Sequence, residues 1–312
     1  MVHMETLQTP ATREYETEVV VHCPLCNGLD HKEVAARGIL KKGGPVVALT
    51  NVCCISCGMV FANPRPTPEA YKKLYTQDYA KERGEVSVEE QQESLDRLQE
   101  KDKGKQIREF LQTYLSDAAV CIIGAGWGFT AGSLKDHVSH VQAVEPSQEQ
   151  AAYIKTRGID VFNGDLSDFH QSYEGEKFDI IIMHHVFEHF TAPKEALQKI
   201  KSLLKPEGVI YIEVPNVVEF NKPVDHFFDI LHPLNFSPAT LSHMLRKAGC
   251  KIIAHNSNKP TRIQVVAARS DHPGDAVDDS VFSESKSLAS VSMYLNKRRL
   301  RDFLYNIKQK FR

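Results

Sequence analysis

The clearest hydrophobic pattern begins near residue 119, where short apolar runs alternate with stretches of helical periodicity. Ala119–Ile123 reads as a buried strand, Val141–Val144 as a second, Asp160–Phe162 as a short third, Phe178–Met183 as a fourth and Val209–Val214 as a fifth. A helix over Pro193–Leu204 lies between the last two. Such alternation predicts a parallel, doubly wound α/β sheet. Ser237 and Pro238 start a further helix that stops at Gly249, with Ser as N-cap and Gly past the end. Lys251–Ala254 and Ile263–Ala267 then form a terminal hairpin.

The N-terminal third is patterned differently. Residues 1–18 are polar and read as a flexible terminus, 19–66 as a small domain, and 67–115 as a helical linker. Within the linker, Pro68 stands near a helix start, and Gly104 interrupts a second helix-prone stretch. The sheet domain spans 116–270. Residues 271–290, rich in Asp and Ser, read as a mobile linker. Residues 291–312 read as a basic amphipathic helix, with Met293, Leu300, Leu304 and Ile307 on one face, suited to self-association or partner contact.

Composition narrows the function classes. With 38 Lys+Arg against 40 Asp+Glu there is no global basic field, which argues against nucleic acid as the main partner. No apolar run is long enough to span a bilayer, and Met1–Pro10 lacks an apolar leader, so a cytoplasmic protein is expected. Five of the seven cysteines fall in the first 57 residues. Without a secretory leader, that cluster reads as a metal site rather than a disulfide framework. Cys23-Pro-Leu-Cys26 and Cys54-Ile-Ser-Cys57 are two C-x-x-C pairs, each followed by a glycine, Gly28 and Gly58. Four thiolates suit a closed, tetrahedral structural Zn²⁺ site. Cys53 is an alternative ligand or a bystander, and His22 a poorer candidate. Cys121 and Cys250 sit in apolar surroundings and read as core.

The strongest chemical signal is Val120-Cys-Ile-Ile-Gly124-Ala125-Gly126-Trp-Gly128, a strand running into a glycine-rich turn. Glycines let the backbone turn sharply and approach a ligand. Glu145 ends the second strand, nineteen residues after Gly126, where a carboxylate can accept hydrogen bonds from both ribose hydroxyls of an adenosine group. Asp165 and Leu166 follow the third strand, where an acid and a backbone amide can read an adenine edge, unless Asp165 only caps a helix.

Over about residues 113–270 these features resemble class I S-adenosylmethionine-dependent methyltransferases. Phe178-Asp179, Phe187-Glu188-His189, Leu204-Lys-Pro-Glu-Gly208 and Val214-Pro-Asn216 carry the likeness further. The resemblance implies S-adenosyl-L-methionine as cofactor on Gly124, Ala125, Gly126, Gly128, Glu145, Asp165 and Leu166. One departure is Ile122, which stands where the family has an acid that meets the methionine amine. The run Cys57-Gly-Met-Val-Phe-Ala-Asn-Pro-Arg-Pro66, with Leu74-Tyr75 and Asp78-Tyr79, resembles bacterial sugar C-methyltransferases with an N-terminal zinc-binding, zinc-ribbon-like domain, although this chain is shorter at the C-terminus and their further C-terminal domain is not expected in it. That likeness implies His232, His189 and Tyr79 as catalytic groups and a sugar or nucleotide-sugar as acceptor. Leu231 stands where those enzymes have a Glu, which leaves O-methylation open beside C-methylation. Histidine suits removal of an acceptor proton near neutral pH. Glu188 orients His189 or caps a helix. His184 and His185, being adjacent, are expected on opposite faces of a strand, and His226 is a weaker candidate. Two other function classes compete: an RNA methyltransferase whose zinc module grips nucleic acid, and a non-catalytic binding protein on a degenerate methyltransferase fold.

Overall fold

The computed structural model describes residues 16–39, 46–78 and 104–271. Tyr79, the linker 271–290 past its first residue and the helix expected at 291–312 lie outside the described residues.

The chain opens with β1 (Thr17–Glu18), β2 (His31–Ile39), β3 (Val46–Cys54), β4 (Val60–Ala62) and β5 (Arg65–Pro66). Thr17 and Glu18, assigned from sequence to a flexible terminus, instead pair antiparallel with Pro66 and Arg65, and Thr17 is buried. Helix α1 (Pro68–Lys73) follows, with Pro68 in the first turn as expected and Thr67 as its cap, the Thr67 hydroxyl accepting from the Ala70 amide. It continues as a π-helical turn over Leu74–Asp78.

After α2 (Lys105–Leu111), strands and helices alternate: β6 (Ala119–Ile123), α3 (Phe129–Leu134), β7 (His140–Glu145), α4 (Gln148–Thr156), β8 (Asp160–Asn163), α5 (Leu166–Ser172), β9 (Phe178–His184), α6 (Pro193–Leu203) and β10 (Leu204–Pro215). Then come α7 (Val224–Phe227), β11 (Leu234–Asn235), α8 (Pro238–Lys247), β12 (Cys250–Asn256) and β13 (Arg262–Arg269). The main sheet has the order β12-β13-β10-β9-β6-β7-β8. Its five strands β6 to β10 are parallel, and β13 and β12 add antiparallel. The sheet is therefore mixed rather than wholly parallel, because the terminal hairpin joins its edge. This is a Rossmann-like α/β fold. The strand order reverses between β6 and β9, and the carboxyl ends flanking that point form the crevice where such sheets hold ligands.

β10 begins earlier than its apolar run suggests. Leu204 pairs with Phe178, the register shifts through the Lys-Pro-Glu-Gly segment, and pairing resumes at Val209 with Ile180. Helix α8 is capped by Ser237 in a reciprocal box with Thr240, and Gly249 closes it at φ +74°.

The cysteine-bearing segment shares its core with the rest of the chain. Its sheet has the order β11-β4-β3-β2, so the strand following α7 completes it, Leu234 opposite Phe61 and Asn235 opposite Val60. The buried Asn235 side-chain amide donates to Asn51 Oδ1 at 3.1 Å. Leu25, Met59 and Phe61 pack in one cluster with Phe187, Leu234 and Phe236, while Leu49, Val60 and Leu74 pack with Val217, Phe228 and Leu231. This docking sets α1 over the carboxyl ends of the main sheet. Among the described residues no helix is long and apolar enough to cross a membrane.

Candidate functional site

A cleft of about 470 Å³ lies between α1 and the carboxyl ends of β6, β7 and β9, within the usual size of a small-molecule site. Gly124, Gly126, Glu145, Asp165, Leu166 and His189, all singled out in the sequence, line it.

Its first end is the glycine-rich turn. The amides of Gly124 and Ala125 both donate to the Val144 carbonyl, at 2.8 and 3.1 Å, which hangs the turn on β7. Gly124 sits at φ +64°, and a Cβ there would stand 2.6 Å from the Val186 side chain, so only glycine fits. Gly126, at φ +57°, has nothing within 4 Å of where a Cβ would be; its backbone is open to a ligand. Its amide donates to Glu145 Oε2 at 2.7 Å, and the Ser147 amide donates to Glu145 Oε1 at 2.8 Å. The carboxylate is thus fixed before any ligand arrives, which removes reorganisation cost from ligand binding. Ala125 and Gly128 are not among the cleft-lining residues: Ala125 packs against the core, and Gly128 (φ +73°) starts α3. Ile122 is also turned away, in the core with Val120, Ala131 and Tyr211, whereas Ile123 lines the cleft.

Asp165 both caps and faces the cleft. Its Oδ1 accepts from the amides of Ser167 and Asp168 at 2.8 and 2.9 Å, and its Oδ2 lies 3.1 Å from Lys72 Nζ of α1. Burial opposes its charge, but the helix amides and Lys72 hold its carboxyl below the usual carboxylate range.

Histidines gather at the other end. His189 Nδ1 is 2.7 Å from the Leu231 carbonyl oxygen, and the Tyr75 hydroxyl donates to the same oxygen at 2.8 Å. A carbonyl only accepts, so Nδ1 carries the proton and Nε2 the lone pair. Tyr75 Oη also stands 2.9 Å from His189 Nδ1. His232 does not line the cleft itself; its ring packs edge-on against His189 with centroids 4.9 Å apart. The turn presenting it is tied by Asp229, whose Oδ1 accepts from the Leu231 amide and whose carbonyl accepts from the His232 amide. Leu231 serves His189 and Tyr75 through its backbone, so its side chain is not needed there. His226 is exposed on α7 and stands apart from the cleft.

The expectation that His184 and His185 face opposite ways fails, because β9 ends at His184 and His185 takes a left-handed backbone, φ +56°. Both rings therefore turn toward one side, centroids 4.9 Å apart, against Glu213. His185 lies between two buried carboxylates, Nδ1 3.3 Å from Glu188 Oε1 and Nε2 3.4 Å from Glu213 Oε1. Burial disfavours its charge, but those two partners lift its pKa to about 9. Glu213 also accepts from Arg262, Tyr211 and Gln264, at 2.8, 2.7 and 2.7 Å. Lys72 was not among the residues singled out in the sequence, and Tyr75 appeared there only as part of a motif. Their signal is positional: Tyr71, Lys72 and Tyr75 lie on one side of a helix that reaches the cleft only through long-range pairing.

The four knuckle cysteines converge. Cys23 Sγ lies 3.5 Å from Cys57 Sγ, Cys26 Sγ 3.5 Å from Cys54 Sγ, and all four thiols fall within 4.8 Å of one another without a disulfide. Four sulfurs about 2.3 Å from one tetrahedral ion sit roughly 3.8 Å apart. The loops repeat each other: the Asn27 amide donates to the Cys23 carbonyl and the Gly58 amide to the Cys54 carbonyl, each at 2.9 Å, with positive φ at both Asn27 and Gly58. Cys53 points elsewhere, into the apolar cluster with Leu49 and Val60, where burial pushes its thiol up to about 12. His22 is exposed and outside the group. Cys121 and Cys250 are buried in the core.

Comparison with known proteins identifies the family. A family model for a methyltransferase domain matches residues 90–255, more than half of the 312-residue chain. Among curated proteins, a probable S-adenosylmethionine-dependent methyltransferase of Mycolicibacterium smegmatis is 22% identical over 131 residues, covering 41% of this chain and 50% of that protein. A ubiquinone biosynthesis O-methyltransferase of Haemophilus ducreyi is 27% identical over 105 residues, covering 30% and 44%. The chain thus spans about half the length of the curated relatives it matches. Among solved structures, the 1,6-didemethyltoxoflavin-N1-methyltransferase of Burkholderia thailandensis aligns with a TM-score of 0.48 at 19% identity, covering 68% of this chain and 95% of that one. On the match over residues 90–255, the chain belongs to the methyltransferase-domain family.

Proposed function

We propose that this protein transfers a methyl group from S-adenosyl-L-methionine to a small-molecule acceptor, a sugar or nucleotide-sugar hydroxyl. The carrying observation is the Glu145 carboxylate, fixed by the Gly126 and Ser147 amides at the mouth of the glycine turn and sharing one cleft with His189. Glu145 would accept the ribose hydroxyls, the open backbone at Gly126 would receive the amino-acid portion, and Asp165 and Leu166 would border the adenine. S-adenosyl-L-methionine supplies an electrophilic methyl group on a sulfonium. Bound there, it would give up that methyl group and leave as S-adenosylhomocysteine, while His189 Nε2, whose lone pair is free because Nδ1 carries the proton, would take the proton of the acceptor hydroxyl. His232, packed on that ring, positions it. Cys23, Cys26, Cys54 and Cys57 would hold one structural Zn²⁺, which keeps the segment leading to α1 in place and takes no part in the transfer.

Calorimetry with S-adenosylhomocysteine tests the cofactor reading. Glu145→Ala removes a charge-assisted acceptor and should weaken binding by about 1.5–3 kcal/mol, roughly 10- to 150-fold. Unchanged affinity would take Glu145 out of the site, and no binding to wild type would end the methyltransferase reading. Screening nucleotide-sugars for a methyl mass gain tests the acceptor class.

A further inference from the structure

Among the described residues, Glu188 Oε2 is the buried side-chain oxygen without a hydrogen-bond partner. Glu188 is 1% exposed, and leaving a buried carboxylate oxygen unmatched is costly. Its other oxygen faces His185 at 3.3 Å. His189 and His232 are its neighbours: a carboxylate oxygen of Glu188 and one ring nitrogen from each histidine all lie within 4.8 Å of one another. From these observations we infer that Glu188, His189 and His232 form a binding site for one divalent transition-metal cation, partly buried beside the cleft and joined to it through His189.

Chemistry favours a cation over another arrangement of hydrogen bonds. Two imidazoles and one carboxylate are a donor set for Mn²⁺, Fe²⁺, Co²⁺, Ni²⁺ or Zn²⁺ rather than for the oxygen-seeking Mg²⁺ or Ca²⁺. Ligands about 2.0–2.2 Å from one ion stand at most ~4.4 Å apart, a span that small side-chain rotations reach from the present one. Around the site, the supporting shell is already built. The Nδ1 proton of His189 goes to the Leu231 carbonyl, the usual way a metal-binding histidine is oriented, and leaves Nε2 as donor atom. His185 anchors the far oxygen of Glu188. A second histidine–carboxylate group nearby, His184, His185 and Glu213, lacks this feature, because Arg262, Tyr211 and Gln264 already occupy the Glu213 oxygens.

Three protein ligands leave coordination positions for an outside oxygen. The role of that oxygen rests on the methyl-transfer reading above. Bound there, the acceptor hydroxyl loses its proton to solvent more readily; with the ion in place His189 acts as its ligand, and in the metal-free protein it acts as the base proposed above. The site would then select acceptors whose oxygen can reach the ion.

Cobalt separates the alternatives. Co²⁺ added to the purified full chain, with its cysteines carrying their own metal, should bind one further equivalent, giving weak visible bands without the intense thiolate absorption of cysteine-bound cobalt. Glu188→Gln and His232→Asn should each weaken that binding roughly tenfold or more, while S-adenosylhomocysteine still binds. Where Glu188→Gln disturbs folding, as circular dichroism would show, His232→Asn decides alone. Absence of thiolate-free cobalt binding up to about 1 mM would overturn the inference, as would equal affinity in the well-folded variants. Loss of S-adenosylhomocysteine binding by wild type would instead strike the methyltransferase reading and leave the metal titration to stand separately.

Discussion

The two ends of the cleft are built in contrasting ways. The glycine end comes from one contiguous stretch, Ile123 to Ser167, in which three successive strand–helix corners present backbone amides and two carboxylates, Glu145 and Asp165, that such amides hold in place. The histidine end draws on five separate segments: Tyr75 from the helix after the cysteine module, His185 to His189 after β9, Asp229 to His232 after α7, and Glu213 of β10 with Arg262 of β13 in the sheet behind them. At the first end geometry follows from the fold. At the second it depends on side chains holding one another, so those segments can change the acceptor while the sheet stays the same. This is how one fold serves many substrates.

The largest test of that contrast goes through the cysteines. Cys54 closes β3, and the chain runs from it through β4 and β5 into α1, which delivers Tyr75 to His189. With zinc on Cys23, Cys26, Cys54 and Cys57, Cys54→Ser should lose the metal and several kcal/mol of stability in that segment. Metal analysis and thermal unfolding read both effects. Turnover should then collapse, while S-adenosylhomocysteine affinity falls much less, since the glycine turn hangs on β7. Cys53→Ser should keep the full metal content. Metal lost on Cys53→Ser and retained on Cys54→Ser would reverse the ligand assignment.

Next in size is the histidine end itself. His189→Asn should lower turnover by about 10²–10⁴-fold, some 3–5 kcal/mol of transition-state stabilisation, with analogue binding nearly intact. His232→Asn should act in the same direction through its packing on His189. A loss confined to His232→Asn would exchange the roles of the two. Less than about a tenfold change for both would leave proximity as the main contribution, on an acceptor already nucleophilic, such as an amine or thiolate.

The contrast also explains what was legible in the sequence. Strand alternation, the Gly124–Gly128 turn, Glu145, Asp165, the helix start at Pro68 and the cap at Ser237 are local signals, carried by period, spacing and residue type within a few positions. The mixed sheet edge was readable as a hairpin, though not its neighbour β10. What stayed hidden depends on distant pairing or on one backbone angle. Nothing near Leu234 announces that it pairs with Phe61, 173 residues earlier, and this pairing brings α1 to the cleft. His185 was assigned by strand alternation, a rule that ends with the strand; its φ of +56° returns the ring to the side of His184. Ala125 and Gly128 belong to the motif by spacing yet shape the turn from behind.

The smallest expected effect concerns Lys72, the one cation that α1 places across the glycine end. Its Nζ lies 3.1 Å from Asp165 Oδ2 and 3.0 Å from Asp168 Oδ2, with the lysine side chain 54% exposed and the two carboxylates 34% and 44% exposed. Ion pairs that wet contribute about 0–1 kcal/mol and weaken with salt. Lys72→Met should therefore change S-adenosylhomocysteine affinity no more than about fivefold, and that difference should shrink in high salt. The pH dependence has a definite sign. Asp165 is held below its ordinary value of 3.8, so its contribution is present above that pH and is lost as acid carries it through its lowered folded pKa. Near neutrality the wild type and Lys72→Met should show parallel profiles. A tenfold or larger loss, insensitive to salt, would mean that Lys72 touches the bound molecule directly. The cysteine module would then contribute to both ends of the cleft, and the division between a backbone-built end and a side-chain-built end would no longer hold.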